Sequence, residues 1–187
     1  LSNIFDYDEN NIKFLNQKGC KKVFKFQIGY HEKLNRIPYR EDKDIDVLFY
    51  GSMKNRRKKL LMNLANSGLN VKHLFGVYGA QRDEYISRAK IVLNCHHYEA
   101  KIFEIVRVHY LVNNNIPVVS ELHPDTKIEP FWNSIISSVS FDELANECKR
   151  LSHDKLERMK ASNLAFKKFQ DKPQLEFTKE LIKKLTQ

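Results

Sequence analysis

Cysteine, glycine and proline are all scarce, at three, six and five of 187 residues. Cys20, Cys95 and Cys148 are scattered and odd in number. They fit a reducing compartment better than a disulfide framework, and a cytoplasmic protein is expected. So little glycine and proline excludes collagen-like and proline-rich chains. No apolar run approaches the ~18 residues that a membrane-spanning helix needs. The opening Leu1-Ser2-Asn3-Ile4-Phe5-Asp6 has neither the basic start nor the long apolar stretch of a signal peptide. It also lacks an initiator Met, so the chain reads as a piece of a longer protein. CxxC and HExxH pairs are missing, and neither a metal site nor a cofactor is expected.

What is present is ordinary for a globular domain: hydrophobic residues make up 42% and charged residues 29%. That balance excludes intrinsic disorder. The 32 Lys and Arg exceed the 23 Asp and Glu, leaving a formal charge of +9. An anionic partner fits this surplus, whether nucleic acid, a membrane surface touched peripherally, or a phosphorylated small molecule. A merely solvated basic face would give the same number.

Hydrophobic periodicity gives the organisation. Residues 8–18 predict a helix stopped by Gly19, and Val23 to Ile28 alternates as a strand. Residues 29–45 are polar, contain Pro38, and read as a linker. Residues 1–45 are therefore assigned to the end of a preceding domain and a linker, and 46–187 to the main domain. There, short apolar strands alternate with helices: strands at 46–50, 71–75, 91–93 and 116–120, with a candidate fifth at 135–139. Helices are predicted at 54–67, 80–89 and 102–113, and further ones at 141–151, 154–170 and 174–186. Such alternation means an α/β fold: a doubly wound, Rossmann-like parallel sheet with helices on both faces and extra C-terminal helices. Ligands bind such sheets beyond the carboxyl ends of the strands.

Three loops at those ends carry candidate chemistry. The first follows Gly51, where the backbone can come close to a phosphate. Ser52 is placed to cap the next helix, whose N-terminus attracts anions. Five of the six residues 54–59 are basic, and at 3.6 residues per turn only one or two can face the cleft. This is neither a Walker A nor a GxGxxG motif. The second loop, Phe75-Gly76-Val77-Tyr78-Gly79, offers a tight turn and a flat surface for a base. The third crowds His96, His97, Glu99, Lys101, Phe103 and Glu104 before Arg107. Glu104 and Arg107 are neighbours on one helix face. A carboxylate in the first helical turn can accept hydrogen bonds from ribose hydroxyls, while Arg107 faces phosphate. An ordinary surface ion pair is the plainer alternative.

In order and spacing, DVLFYGS at 46–52, LFGVYG at 74–79, AKIVLN at 89–94 and IFEIVR at 102–107 resemble the C-terminal, donor-binding half of GT-B-fold glycosyltransferases. The likeness is to proteins of the glycosyltransferase family 1 or CgeB-like type. DYDENNIKFL at 6–15 and FQIGYHEKL at 26–34 resemble the end of the partner N-terminal half and the linker. The likeness covers roughly residues 5–170. It implies that Gly51 and Ser52 approach a donor diphosphate, that Arg57 or Lys58 contacts the phosphates, that Val77 and Tyr78 border the base, and that Glu104 holds the ribose. Two features depart from the family pattern. Glu99 and Glu104 have four residues between them where many retaining members have seven, and Asn113-Asn114-Asn115 stands before Pro117-Val118-Val119 where many have a Gly.

The expectation is an incomplete glycosyltransferase, moving a sugar from a nucleotide diphosphate donor to an acceptor hydroxyl. Glu99 and Arg107 are its catalytic candidates. Its substrate-binding candidates are Gly51, Ser52, Arg57, Lys58, Val77, Tyr78, His97, Lys101, Phe103 and Glu104. The partners would be a nucleotide sugar, an acceptor saccharide, lipid or protein, and an N-terminal acceptor-binding half, with nucleic acid disfavoured. The rivals are a GT-B-fold nucleotide-sugar epimerase, a basic nucleic-acid-binding module and a noncatalytic interaction domain.

Overall fold

The structure is a computed structural model that describes residues 2–96 and 102–186. The chain begins with β1 (Ile4–Asp6), α1 (Glu9–Gln17) and β2 (Val23–Lys25). The two strands pair in parallel as a small separate sheet. Asp8 caps α1 by accepting from the amides of Asn10 and Asn11 at 2.9 and 3.0 Å.

The main body alternates as expected: β3 (Ile45–Tyr50), α2 (Asn55–Asn66), β4 (Val71–Leu74), α3 (Gly79–Arg88), β5 (Ala89–Asn94), α4 (Ile105–Asn113), β6 (Val118–Glu121), the short α5 (Pro130–Asn133) and β7 (Ser137–Val139). Then come α6 (Leu144–His153), α7 (Lys155–Gln170) and α8 (Gln174–Thr186). The strands form one sheet in the order β4-β3-β5-β6-β7, with every pair parallel. The chain leaves β3 toward β4, then crosses back to β5 on the other side of β3. The gap between the carboxyl ends of β3 and β5 is therefore the topological switch point, where doubly wound sheets open a crevice.

Side chains alternate across the strands and build two cores. Val47, Phe49, Ile91, Leu93 and Val119 face α2 and α6, where Leu60, Leu61, Leu64, Leu144, Cys148 and Leu151 cover them. Leu48, Val92 and Val118 face the other way, against Ile86 of α3, Val108 and Leu111 of α4, and Phe169 of α7. No described helix is long and apolar enough to cross a membrane.

Residues 29–45, read as a linker, are bonded to the main domain and to the start of α8. Gly29 lies so close to the start of α8 that a Cβ there would sit 2.6 Å from the Lys172 carbonyl. Gln174 accepts from the Gly29 amide at 2.7 Å and donates to the Gln27 carbonyl at 3.2 Å. The helix expected from residue 102 begins only at Ile105, because Glu104 adopts φ −78°, ψ 62° and the Ile105 amide bonds back to the Phe103 carbonyl at 2.8 Å. That is an inverse γ-turn, not helix.

The asparagine triplet explains how the chain manages without glycine at the end of α4. Asn115 takes the left-handed conformation at φ 55°. Its amide bonds to the Val112 carbonyl, and the amide of Ile116 to the Leu111 carbonyl, each at 3.0 Å. This is a Schellman stop with asparagine in place of glycine. Asn113 accepts from the His31 amide at 3.0 Å and donates to the His31 carbonyl at 3.2 Å. Asn114 accepts from the amides of Arg36 and Ile37 at 2.6 and 2.9 Å, and donates to the Leu34 and Tyr110 carbonyls, both at 2.8 Å. Asn114→Leu keeps the branching at Cγ and strands two amides, each costing about 1–3 kcal/mol. Thermal or urea unfolding should show a loss of about 2–5 kcal/mol; a loss below ~0.5 kcal/mol would mean that Asn114 does not hold segment 34–37 to the domain.

Candidate functional site

Helical spacing decides which member of the basic run enters the fold. Arg57, Leu60, Leu61 and Leu64 form one stripe on α2, and all four are buried. Arg57 is 3% exposed, whereas Lys58 and Lys59 point to solvent. Between the two phosphate candidates the structure thus places Arg57 at the sheet and Lys58 away from it. Arg56 turns aside to Glu121, the last residue of β6, donating from Nη1 at 2.8 Å and also from Nη2. Its guanidinium lies 3.5 Å from the centre of the Phe141 ring.

Arg57 spans the switch point. Nη1 donates to the Ser52 carbonyl at 3.0 Å, beyond β3, and Nη2 donates to the Cys95 carbonyl, beyond β5. Nη2 also meets Glu104 Oε1 at 2.8 Å. The other Glu104 oxygen takes Arg107 Nη1 at 2.5 Å. Arg107 in turn donates to Asn94, the buried last residue of β5, at 2.9 Å. Arg107 Nε is buried and makes no hydrogen bond. A cation in the first turn of a helix opposes the helix dipole, and a carboxylate at the N-cap favours it. Glu104, at the N-cap of α4, therefore supports both the helix end and its two cations. The γ-turn aims it there, since Phe103 is anchored in the core at 6% exposure. Phe103, a substrate-binding candidate, is buried in the core and also lines a small cavity beside Tyr7 and Trp132.

Gly51 makes the arrangement possible. Its φ is 135°, and a Cβ would stand 3.1 Å from Arg107 Nη2 and 3.8 Å from Arg57 Nη1. His73 donates from Nε2 to the Gly51 carbonyl at 2.8 Å and stacks on Phe49, with ring centres 5.7 Å apart. Both guanidiniums also lie over Phe49, at 4.9 and 5.7 Å. Ser52 does not cap α2. The cap position belongs to Lys54, which makes no side-chain capping bond. Lysine has no acceptor to offer the first-turn amides.

Arg107 and Glu104 open onto a cavity of about 450 Å³, walled also by Tyr7, Tyr50, Arg82 and Tyr110. Arg82 and Tyr110 both bind Asp83, Arg82 at 2.8 Å and the Tyr110 hydroxyl at 2.6 Å. Burial pushes Tyr50 up to about 12; burial and the bond to Asp83 do the same to Tyr110. Both phenols are protonated donors at neutral pH. Burial likewise raises the Cys95 thiol to about 11, so it is no thiolate nucleophile.

Around this lies a buried polar frame. His96, 3% exposed, donates from Nδ1 to the Ile102 carbonyl at 3.1 Å and accepts from the Thr126 hydroxyl at 3.0 Å. Burial lowers its pKa, and the neutral ring matches those two bonds. Burial works against the Glu121 charge, but Arg56 and the His96 amide, 2.9 Å away, more than offset it and hold the carboxyl below its usual range. Val77 packs against the core, while Tyr78 is 76% exposed at the N-cap of α3. His97, Glu99 and Lys101 lie outside the described residues. Sequence reasoning missed His73, Asn94 and Glu121. The only signal was their position at or near strand ends, which polar residues also occupy for purely structural reasons.

No family model matches the chain. Among curated proteins it is similar to the uncharacterized protein L140 of Acanthamoeba polyphaga mimivirus, 28% identical over 76% of this chain and 48% of that protein. It is also similar to L138 of the same virus, 35% identical over 42% of this chain and 9% of that protein. Among solved structures it superposes on Anabaena HepE in complex with UDP and glucose, with a TM-score of 0.68 at 12% identity, over 99% of this chain and 63% of that one. TarM gives 0.66 at 13% identity, over 97% of this chain and 43% of that one. The chain thus spans less than two thirds of each of these proteins. At such identities the likeness shows the fold alone, a Rossmann-like α/β fold shared with HepE and TarM.

Proposed function

We propose that this chain is the donor-binding part of a glycosyltransferase that moves a sugar from a nucleoside diphosphate to an acceptor hydroxyl. The observation that carries this reading is the convergence of Gly51, Arg57, Glu104 and Arg107 at the topological switch point. A nucleoside diphosphate needs cations for two phosphates, an approachable backbone, and a carboxylate for the ribose diol. All three stand together there. The fold shared with HepE, which was solved with UDP and glucose and with UDP-glucose, supports the same class of donor.

In this reading the diphosphate lies over Gly51 and the first turn of α2, whose amides the Lys54 side chain cannot cap. Arg57 and Arg107 take up the charge that grows on the leaving diphosphate as the sugar–oxygen bond breaks. Such preorganised cations are worth most where water is scarce. Glu104 is held through both oxygens, yet a carboxylate has about four acceptor sites. It can keep both arginines and still accept from the ribose. Residues 1–45 then belong to the end of an acceptor-binding half, which would bring the group that deprotonates the acceptor. The chemistry asks for no further cofactor.

Two measurements check this, both by calorimetric titration. Arg57→Ala should weaken binding of a nucleoside diphosphate by roughly tenfold to a hundredfold while leaving the nucleoside nearly unchanged, since a charge-assisted bond is worth about 1.5–3 kcal/mol. Lys58→Ala should change neither; equal losses in both variants would return the whole run to a general basic face. Wild type should prefer ribose over deoxyribose nucleotides, and Glu104→Gln should erase most of that preference. If variant and wild type discriminate alike, the ribose is held elsewhere.

A further inference from the structure

A second cavity, of about 400 Å³, opens at the opposite end of the sheet, beneath the first residues of β5 and β6. Lys90 lines it, at the start of β5, while Asn94, at the far end of that strand, serves the first site. At ~3.3 Å per residue these ends are about 13 Å apart. The two cavities share no lining residue.

Two of the second cavity's cations make no direct ion pair among the described residues, although Glu41 acts on Lys43, and Asp154 and Asp46 on Arg158, from farther off. Lys90 and Lys155 are paired with Asp46 and Glu41. Lys43 and Arg158 have no carboxylate within 4.0 Å among the described residues. Among the described residues, Lys43 donates to the Ser87 carbonyl, at 2.9 Å. Arg158 is 5% exposed and donates from Nη1 to the carbonyls of Leu151 and Ser152, at 2.6 and 3.1 Å. Burial, together with the charges of Arg158 and Arg40, pushes Lys43 down to about 8. Burial also lowers Arg158. Buried like charges are costly unless an anion joins them. Ile37, Met159 and Phe166 give the wall an apolar side, beside polar residues that include Asn35, Tyr39, Glu41 and Ser162.

We propose that this cavity binds a phosphate monoester, its dianionic head between Lys43 and Arg158 and its apolar or aromatic body against Ile37, Met159 and Phe166. A dianion answers two adjacent cations where a single carboxylate answers one. The apolar wall sets such an ester apart from free phosphate.

Calorimetric titration of the whole chain with phenyl phosphate, inorganic phosphate and phenol tests this. Phenyl phosphate should bind one to one, at least about tenfold more tightly than inorganic phosphate, and phenol should not bind measurably. Saturating nucleoside diphosphate should not displace it. Lys43→Met removes the charge and keeps the length; Met159→Trp fills the cavity from an apolar position. Each should weaken phenyl phosphate by about tenfold or more. If Met159→Trp does not melt as a folded protein, Lys43→Met carries the test. No binding up to about 10 mM, affinity no better than that of inorganic phosphate, or wild-type affinity in the folded variants would overturn the proposal.

Discussion

A guanidinium buried at the end of a parallel sheet constrains everything around it. Arg57 is 3% exposed, and an ion so placed costs several kcal/mol unless its donors are met. The neighbourhood meets the two terminal nitrogens and, among the described residues, leaves only the buried Nε without a hydrogen bond. The Ser52 and Cys95 carbonyls beyond β3 and β5 turn toward it, and Glu104 reaches it from the N-cap of α4. Phe49 lends a ring face, and Gly51 leaves out the Cβ that would crowd Arg107. Remove Arg57, and Glu104 retains Arg107 alone while the carbonyls at the switch point lose their shared donor. One side chain thereby ties the phosphate-approach loop, the start of α4 and the edge of the cavity into one unit.

The sheet was legible because its signals are local and redundant. Short apolar strands, helices with stripes and the strict alternation between them admit few topologies, and right-handed crossovers leave fewer still. Arg57 was legible by the same rule, falling in register with Leu60, Leu61 and Leu64, while Lys58 sits one step off the stripe. The start of α4 was not, because nothing in Ile102-Phe103-Glu104 announces a γ-turn; it follows from anchoring Phe103 in the core. The role of residues 29–45 was hidden too. Their polarity suggests a free linker, yet their backbone amides are met by Asn113 and Asn114, some 80 positions later in the chain. Polar partners so distant leave no periodicity to detect. His73, Asn94 and Glu121 escaped for a similar reason, since strand register and not sequence spacing brings their partners to them.

The two ends of the sheet solve opposite electrostatic problems. At the carboxyl ends, Glu104 and Glu121 bind the arginines of α2 and α4, so charge is held in place and pointed. At the amino ends, Lys43 and Arg158 face a cavity with their charges only partly answered by carbonyls. The first pattern preorganises a site for a ligand whose charge changes during reaction. The second leaves room for a ligand that brings the missing charge with it. The overall charge of +9 therefore has a spatial structure, and only part of it is a solvated face.

The most direct test of the central claim is a crystal structure of this chain with a bound nucleoside diphosphate. The account predicts phosphate oxygens within hydrogen-bond distance of the Gly51–Ser52 backbone and of Arg57 or Arg107, with the ribose hydroxyls on Glu104. A nucleotide bound elsewhere, with the Arg57–Glu104–Arg107 cluster closed and untouched, would contradict it.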